Sequence, residues 1–310
     1  MMEAPNQKPY ALPANAVWFI TGCSSGIGQS LAQVIAESPG NRVVATARNV
    51  STLEGIPDSD RVLKLQLDVT SEQSINGAFE ATLTKFGRID VVVNNAGYTL
   101  AGDTEGAGDA EARAVMDTNF WGMVDVTKKA LGIMRETNPE SGQQGGVIVN
   151  ISSMGGWTGY PGQAFYHASK FAMEGFTEAV AKELPSEWNI HLTNMEPGGV
   201  KTNYATSSLK PMAKRHPAYD HPNFPTNMLI GHMQSEQGRS LWAEPRDIAA
   251  AIYRVVSRGQ RIPIRVPLGP DAWGMIAKDL EDTKADLEEV KSISLSVGDP
   301  KQLDAIDFLK

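Results

Sequence analysis

The chain has 310 residues, a formal charge of -8, 41% hydrophobic residues and a single cysteine. That length suits one α/β domain with an appendage, large enough to bury a proper core. The acidic balance lacks the clustered Lys and Arg of a nucleic-acid partner, and Cys23 alone excludes an internal disulfide or a Cys-based metal cluster.

The first stretch, Met1 to Pro13, is polar and Pro-interrupted, unlike a secretory signal. No window approaches the ~18 apolar residues of a membrane span. A reducing, cytoplasmic setting with no membrane contact is expected. Short apolar runs then recur at Ala16–Ile20, Arg42–Thr46, Val62–Leu67, Asp90–Val93, Gly146–Ile151 and Ile190–Met195, with a weaker seventh at Arg261–Val266. Amphipathic stretches separate them, at Ile27–Glu37, Ser71–Phe86, Ala110–Arg135 and Ala164–Leu184. Strand and helix in alternation predict an α/β fold with a doubly wound parallel sheet of about seven strands over residues 14–270. A ligand then belongs beyond the carboxyl ends of the strands, where strand order reverses.

Three segments break the rhythm. Asn138–Gly145 looks inserted before the fifth run. Residues 203–242 lack clean periodicity and mix Pro211, Pro217, Pro222 and Pro225 with Met212, His216, Tyr219, His221, Phe224, Met228 and Met233. So long an irregular loop reads as a lid over a pocket. His216 and His221 form no metal-binding helix pattern, so no metal is expected. Residues 271–310 read as a C-terminal helical extension, with Leu280, Leu287 and Val290 at helical spacing in Ala272–Lys291.

Directly after the first run come Thr21-Gly22-Cys23-Ser24-Ser25-Gly26-Ile27-Gly28, and a helix pattern follows. A diphosphate needs backbone N–H groups clear of Cβ atoms and the positive end of a helix dipole, which such a turn supplies. Gly22, Ser24, Ser25, Gly26, Ile27 and Gly28 are therefore candidate cofactor residues. The same stretch also satisfies G-x-S-x-G, a hydrolase elbow with Ser24 as nucleophile and His167 or His191 as partner. After the second run stands Arg48, with no carboxylate beside it. A carboxylate there would repel a ribose 2′-phosphate, whereas Arg pairs with it bidentately, which favours NADP(H).

Tyr166 and Lys170 lie four apart in a helical segment and project from one face. A nearby ammonium favours the phenolate form of a tyrosine. Ser152 and Ser153 end the run Gly146–Ile151, and Asn94-Asn95-Ala96-Gly97 closes the fourth run. Both sets converge on one edge of the sheet.

In this order, Thr21-Gly22-x-x-x-Gly26-x-Gly28, Asp68-Val69, Asn94 to Gly97, Asn119, Ser153, Tyr166-x-x-x-Lys170 and Pro197-Gly198 with Thr202 resemble the short-chain dehydrogenase/reductase family, a Rossmann-type fold. The resemblance runs from about Val17 to Thr202. It implies that Ser153 orients the substrate oxygen, Tyr166 transfers the proton, Lys170 binds the nicotinamide ribose and lowers the tyrosine pKa, and Asn119 holds a water in a proton relay. It further implies that Asp68 and Val69 flank the adenine, that Asn95, Ala96 and Gly97 line the cofactor, and that Pro197, Gly198, Val200 and Thr202 hold the nicotinamide amide. Arg48 with Ser25 resembles the NADP-preferring branch, and a homodimer or homotetramer is implied. The expected activity is hydride transfer between NADP(H) and a carbonyl or alcohol carbon. Tyr98, Met154, Trp157, Tyr160 and Phe165 near the catalytic positions suit a bulky apolar or aromatic substrate. A non-redox isomerase or cofactor-binding sensor on the same fold is the other reading.

Overall fold

The computed structural model describes residues 6–203 and 208–307. Residues 204–207 of the expected lid and 308–310 of the extension therefore lie outside the described residues. The strands are β1 (Val17–Ile20), β2 (Arg42–Ala47), β3 (Val62–Gln66), β4 (Val91–Asn94), β5 (Thr99–Ala101), β6 (Gly146–Ile151), β7 (Ile190–Pro197), β8 (Leu209–Pro211) and β9 (Arg265–Leu268). Seven of them form one parallel sheet in the order β3-β2-β1-β4-β6-β7-β9, and β5 pairs with β8 separately. The chain leaves β1 towards β2 and β3, then returns to build outward from β4 on the other side. The switch point lies between β1 and β4.

Alternation along β1 divides the core. Trp18 and Ile20 face a cluster with Leu31, Ile35, Ile248 and Ile252 from α1 (Gly26–Glu37) and α9 (Pro245–Ser257). Val17 and Phe19 face the other, with Phe79 of α2 (Glu72–Phe86) stacked at 4.4 Å on Phe19. Burial on both faces is why these strands read as continuous apolar runs.

The first six runs appear as strands, shifted by a residue or so at their ends. The seventh differs more. Its strand begins at Arg265, not Arg261: Pro263 lacks a ladder donor, and β7 pairs with the strand from Asn194 to Pro197. Arg261 instead forms an isolated antiparallel bridge with Pro9.

The stretch expected at Ala110–Arg135 runs as α3 (Asp109–Met116), a π turn (Asp117–Trp121), α4 (Gly122–Gly132), a second π turn (Ile133–Thr137) and α5 (Asn138–Glu140). Helix α6 (Ala164–Glu183) follows β6. The described part of 203–242 is not one irregular loop: besides β8 it holds α7 (Pro225–Gln234) and α8 (Glu236–Ser240). Pro225 sits in the first turn of α7, where its fixed φ favours a helix, and Ser235 caps α8 by accepting from Gly238 N at 2.9 Å. The tail forms α10 (Pro270–Ser294) and α11 (Gln302–Ala305), with Ala272 and Ile276 the buried residues of α10.

The inserted Asn138–Gly145 segment is tied to the sheet by one side chain. Asn138 Nδ2 donates to Ile89 O and Gly145 O, both at 2.7 Å, and its Oδ1 accepts from Ile89 N at 3.2 Å. It thereby stitches the entries to β4 and β6. Asn138→Ala strands these buried backbone groups and should cost about 2–3 kcal/mol in urea unfolding; an unchanged midpoint would contradict the stitch.

Candidate active site

At the carboxyl end of β1 the chain turns sharply into α1. Gly22 and Gly26 have φ of +72° and +61°, which only glycine adopts at little cost. The Thr21 hydroxyl accepts from Asn95 N and Ala96 N, both at 3.0 Å, and Asn95 Nδ2 donates to Thr21 O at 2.9 Å and Gly22 O at 3.0 Å. The turns after β1 and β4 are thus clasped together. Asn95 faces the glycine turn with its amide and shapes the cavity beside it. Ser25 precedes α1 without a side-chain cap, and no acidic residue occupies the first turn of that helix. Uncapped N–H groups and a positive dipole end fit a diphosphate.

These turns open onto a cavity of about 620 Å³. Every cofactor and catalytic residue expected from sequence lines it, apart from Gly28 and Asn119. Gly28 is buried behind the turn, where a Cβ would come within 2.5 Å of Gly22 O and press on the Asn95 amide. Ala47 and Arg48 reach the cavity from the end of β2, beside Asp68, Val69 and Thr70. Asp68 accepts from Thr70 N at 3.0 Å and Thr70 Oγ1 at 2.7 Å, and these bonds, ahead of the nearby Arg48 charge, hold its carboxyl below its usual range.

Ser153, just past β6, is fixed by accepting from Gly155 N at 3.0 Å, which leaves its O–H proton free to donate. Tyr166 and Lys170 share a face of α6 and are both largely buried. Lys170 Nζ donates to Ile151 O at 2.7 Å and lies 5.6 Å from the Tyr166 ring centroid. Burial lowers the Lys170 pKa to about 8, opposed by the negative charge of Glu174 one turn further on.

Asn119 sits fully buried inside the first π turn. Its Nδ2 donates to Tyr98 O at 2.9 Å and Ser169 Oγ at 3.1 Å, and its Oδ1 accepts from Tyr98 N at 3.0 Å. The side chain therefore joins α6 to the segment after Gly97. Sequence reasoning placed Thr21 in the glycine motif without a role of its own, cast His167 only as a hydrolase partner, and missed Ser169. His167 accepts from Tyr160 N at 3.1 Å through Nε2, so Nδ1 carries the proton and donates to Gly155 O at 2.9 Å. Burial lowers its pKa, in keeping with a neutral ring. The signal for it was its place beside Tyr166 in an apolar helix.

The hydrolase reading needs a histidine at Ser24. His167 has both ring nitrogens engaged by backbone, and His191 lies 3.0 Å from Asn189 Oδ1 through Nε2. Neither sequence candidate meets the serine.

The family profile described as short chain dehydrogenase matches residues 16–213. The chain belongs to that family. It is 44% identical over 297 residues to the oxidoreductase calM of Penicillium decumbens, covering 94% of this chain and 96% of that protein. A 3-ketodihydrosphingosine reductase of Bacteroides thetaiotaomicron is 35% identical, covering 84% of this chain and 90% of that one. Among solved structures, a short-chain dehydrogenase from Streptomyces avermitilis superposes with a TM-score of 0.79 at 31% identity, covering 91% and 98%. A 3-ketoacyl-(acyl-carrier-protein) reductase from Brucella melitensis, solved with NADH, gives 0.66 at 25% identity, covering 82% and 96%. As a short-chain dehydrogenase the protein is an NAD(P)(H)-dependent oxidoreductase working at a carbonyl or alcohol carbon.

On the substrate side of this dehydrogenase site, Tyr98, Met154 and Tyr160 line the cavity as expected, while Trp157 and Phe165 do not. Phe165 packs instead with Leu100, Val115 and Met212. From the 203–242 segment come Ser208, Lys210, Leu229, His232, Met233 and Trp242, whereas His216, Tyr219, His221, Phe224 and Met228 stay away from the cavity. No helix among the described residues is long and apolar enough to cross a membrane. Gly28→Ala forces the Asn95 clasp apart and should weaken binding of the reduced dinucleotide, NADPH and NADH titrated in parallel, at least about tenfold, about 1.4 kcal/mol, in a fluorescence titration; binding at the parental level would show the turn to be dispensable.

Proposed function

We propose that the protein is an NADP(H)-dependent reductase or dehydrogenase for a bulky apolar or aromatic carbonyl or alcohol, with Tyr166 as proton donor and acceptor. The observation that carries this reading is that Arg48, Ser153, Tyr166 and Lys170 all border one cavity. When bound, the nicotinamide supplies or accepts the hydride. The protein's own groups manage the oxygen and its proton. Ser153, one of its two lone pairs taken by Gly155 N, donates its O–H to the substrate oxygen where negative charge develops. Tyr166 delivers or removes the proton there. Lys170, anchored on Ile151 O, places an ammonium beside the phenol and favours the phenolate. The side-chain bonds of Asn119 take up both amide protons, so a water relay at this position would need an acceptor from it rather than a donor.

NADP(H) over NAD(H) is supported by Arg48 at the end of β2, whose guanidinium forms no ion pair with a carboxylate among the described residues. A bulky substrate is supported by Met154, Leu229, Met233, Trp242 and Met275 around the cavity.

Tyr166→Phe should reduce NADPH-dependent turnover by roughly 10²–10⁴-fold while NADPH binding stays nearly intact; undiminished turnover would refute the assignment. Arg48→Ala removes a charge-assisted pair of about 1.5–3 kcal/mol, so KM for NADPH should rise roughly ten- to a hundredfold with little change for NADH. In a substrate panel, polycyclic and aryl ketones should turn over faster than small sugars, and the reverse order would overturn the substrate class.

A further inference from the structure

Behind the cavity wall lies a cluster that the proposed chemistry does not use. Glu174 of α6 and Glu196 of β7 are buried, at 5% and 0% exposure. Glu174 Oε2 accepts from Asn194 Nδ2 at 2.6 Å and Arg265 Nε at 3.2 Å. Glu196 Oε1 accepts from Trp157 Nε1 at 3.0 Å, and the Arg265 guanidinium lies 5.1 Å from the Trp157 ring centroid. The second oxygens are the anomaly. Glu196 Oε2 has no conventional donor, and Glu174 Oε1 has none besides the Ser152 hydroxyl. A Cβ on Gly156 would stand 2.8 Å from Ser152 Oγ and 3.3 Å from Glu174 Oε1, so these groups meet directly beneath the loop that follows Ser153.

We propose that Glu174 and Glu196 share one proton beneath the ends of β6 and β7 and, through Trp157, act as positioning residues for the 154–160 loop at the substrate side of the cavity. The two buried carboxyl groups interact directly while their second oxygens are short of donors, Glu174 Oε1 having the Ser152 hydroxyl and Glu196 Oε2 none, and a proton held between them satisfies both. Positive charge nearby is too scarce to hold both as anions. Arg265 from β9 is the close cation, and its Nη2 donates to Glu178 of α6 at 2.7 Å. Lys182 is paired with Glu178. Lys170, one turn before Glu174 on α6, points to Ile151 O. The end of β6 is followed by the neutral Ser152 and β7 offers the neutral Asn194, while Asp271 and Asp279 of α10 act on Tyr160 at the loop. Burial first, and then the mutual charge, raise the Glu196 carboxyl above its ordinary range, and burial raises that of Glu174.

Met154 and Tyr160, at either end of that loop, line the cavity, and Trp157 between them is held by Glu196. The proton therefore sets how firmly the loop is seated. Because the folded pKa is raised, the stabilisation is complete below the ordinary carboxyl pKa near ~4.3 and is lost as pH rises through the raised value. Above it, two anions face one another and the loop loosens. The effect on turnover rests on the redox reading above, whereas the shared proton does not.

The test compares the parent with Glu196→Gln, which keeps an acceptor for Trp157 and gives Glu174 a donor that does not titrate. Thermal midpoints without substrate are measured from about pH 5 to about pH 9. The parent's midpoint should fall relative to the variant's as pH rises, the gap changing by at least roughly 2–4 °C. Parallel curves overturn the shared proton. Should Glu196→Gln not fold, Glu174→Gln takes its place with the same expected divergence. In turnover, the parent's KM for the carbonyl substrate should rise with pH while that of Glu196→Gln stays level, and Trp157→Phe should raise KM roughly three- to tenfold with kcat little changed; a rise in KM that persists in Glu196→Gln, or a Trp157→Phe defect confined to kcat, overturns the positioning role. A parent with no turnover on any carbonyl would defeat the redox reading and leave the melting comparison standing.

Discussion

Where β1 and β4 send the chain into opposite halves of the sheet, a gap opens beyond their ends, and the Thr21 hydroxyl and Asn95 amide close its floor. The clasp works because both partners are short, sit at strand ends, and bond backbone groups that the sheet no longer pairs. It holds the glycine turn at the angle from which α1 presents its uncapped N–H groups. A shift there would move the anion site and the wall beneath Ala96 and Gly97 together.

The opposite wall depends on α6. Tyr166, Lys170 and Glu174 recur every four residues along one helical face, so one rigid element sets a phenol, an ammonium and a carboxyl in a row. Their environments pull in different directions. Burial weakens the charged forms of both Lys170 and Glu174, and the negative charge of Glu174 partly offsets this at Lys170 across one turn. Asn119 braces this helix through Ser169, while His167 ties it to the loop above.

Much of this is legible in the amino-acid sequence. Strands buried on both faces announce themselves as apolar runs, and the glycine turn, Ser153, Tyr166 and Lys170 stand at fixed places relative to those runs. Other features left weaker traces. The π turn around Asn119 is invisible to a 3.6-residue period, since it adds a residue without breaking amphipathicity. Prolines in 203–242 suggested an irregular path, yet Pro225 opens a helix, a role that composition alone does not distinguish from breaking one. The carboxyl pair is formed by residues 22 positions apart on different elements, joined only by the crossover from α6 to β7. Glu174 did carry a hint, as an acid four residues beyond Lys170 among otherwise buried positions.

Helix α10 extends for 25 residues, a span of about 37 Å at 1.5 Å per residue. Its root is seated: Asp271 accepts from Gly199 N at 2.7 Å, and Ala272 and Ile276 are buried, whereas the turns beyond stand in solvent. Mechanically this is a stiff rod pivoted on the backbone just past Pro197 and Gly198. Torque applied to its outer end is delivered, with the leverage of its length, to the two glycines that border the cavity.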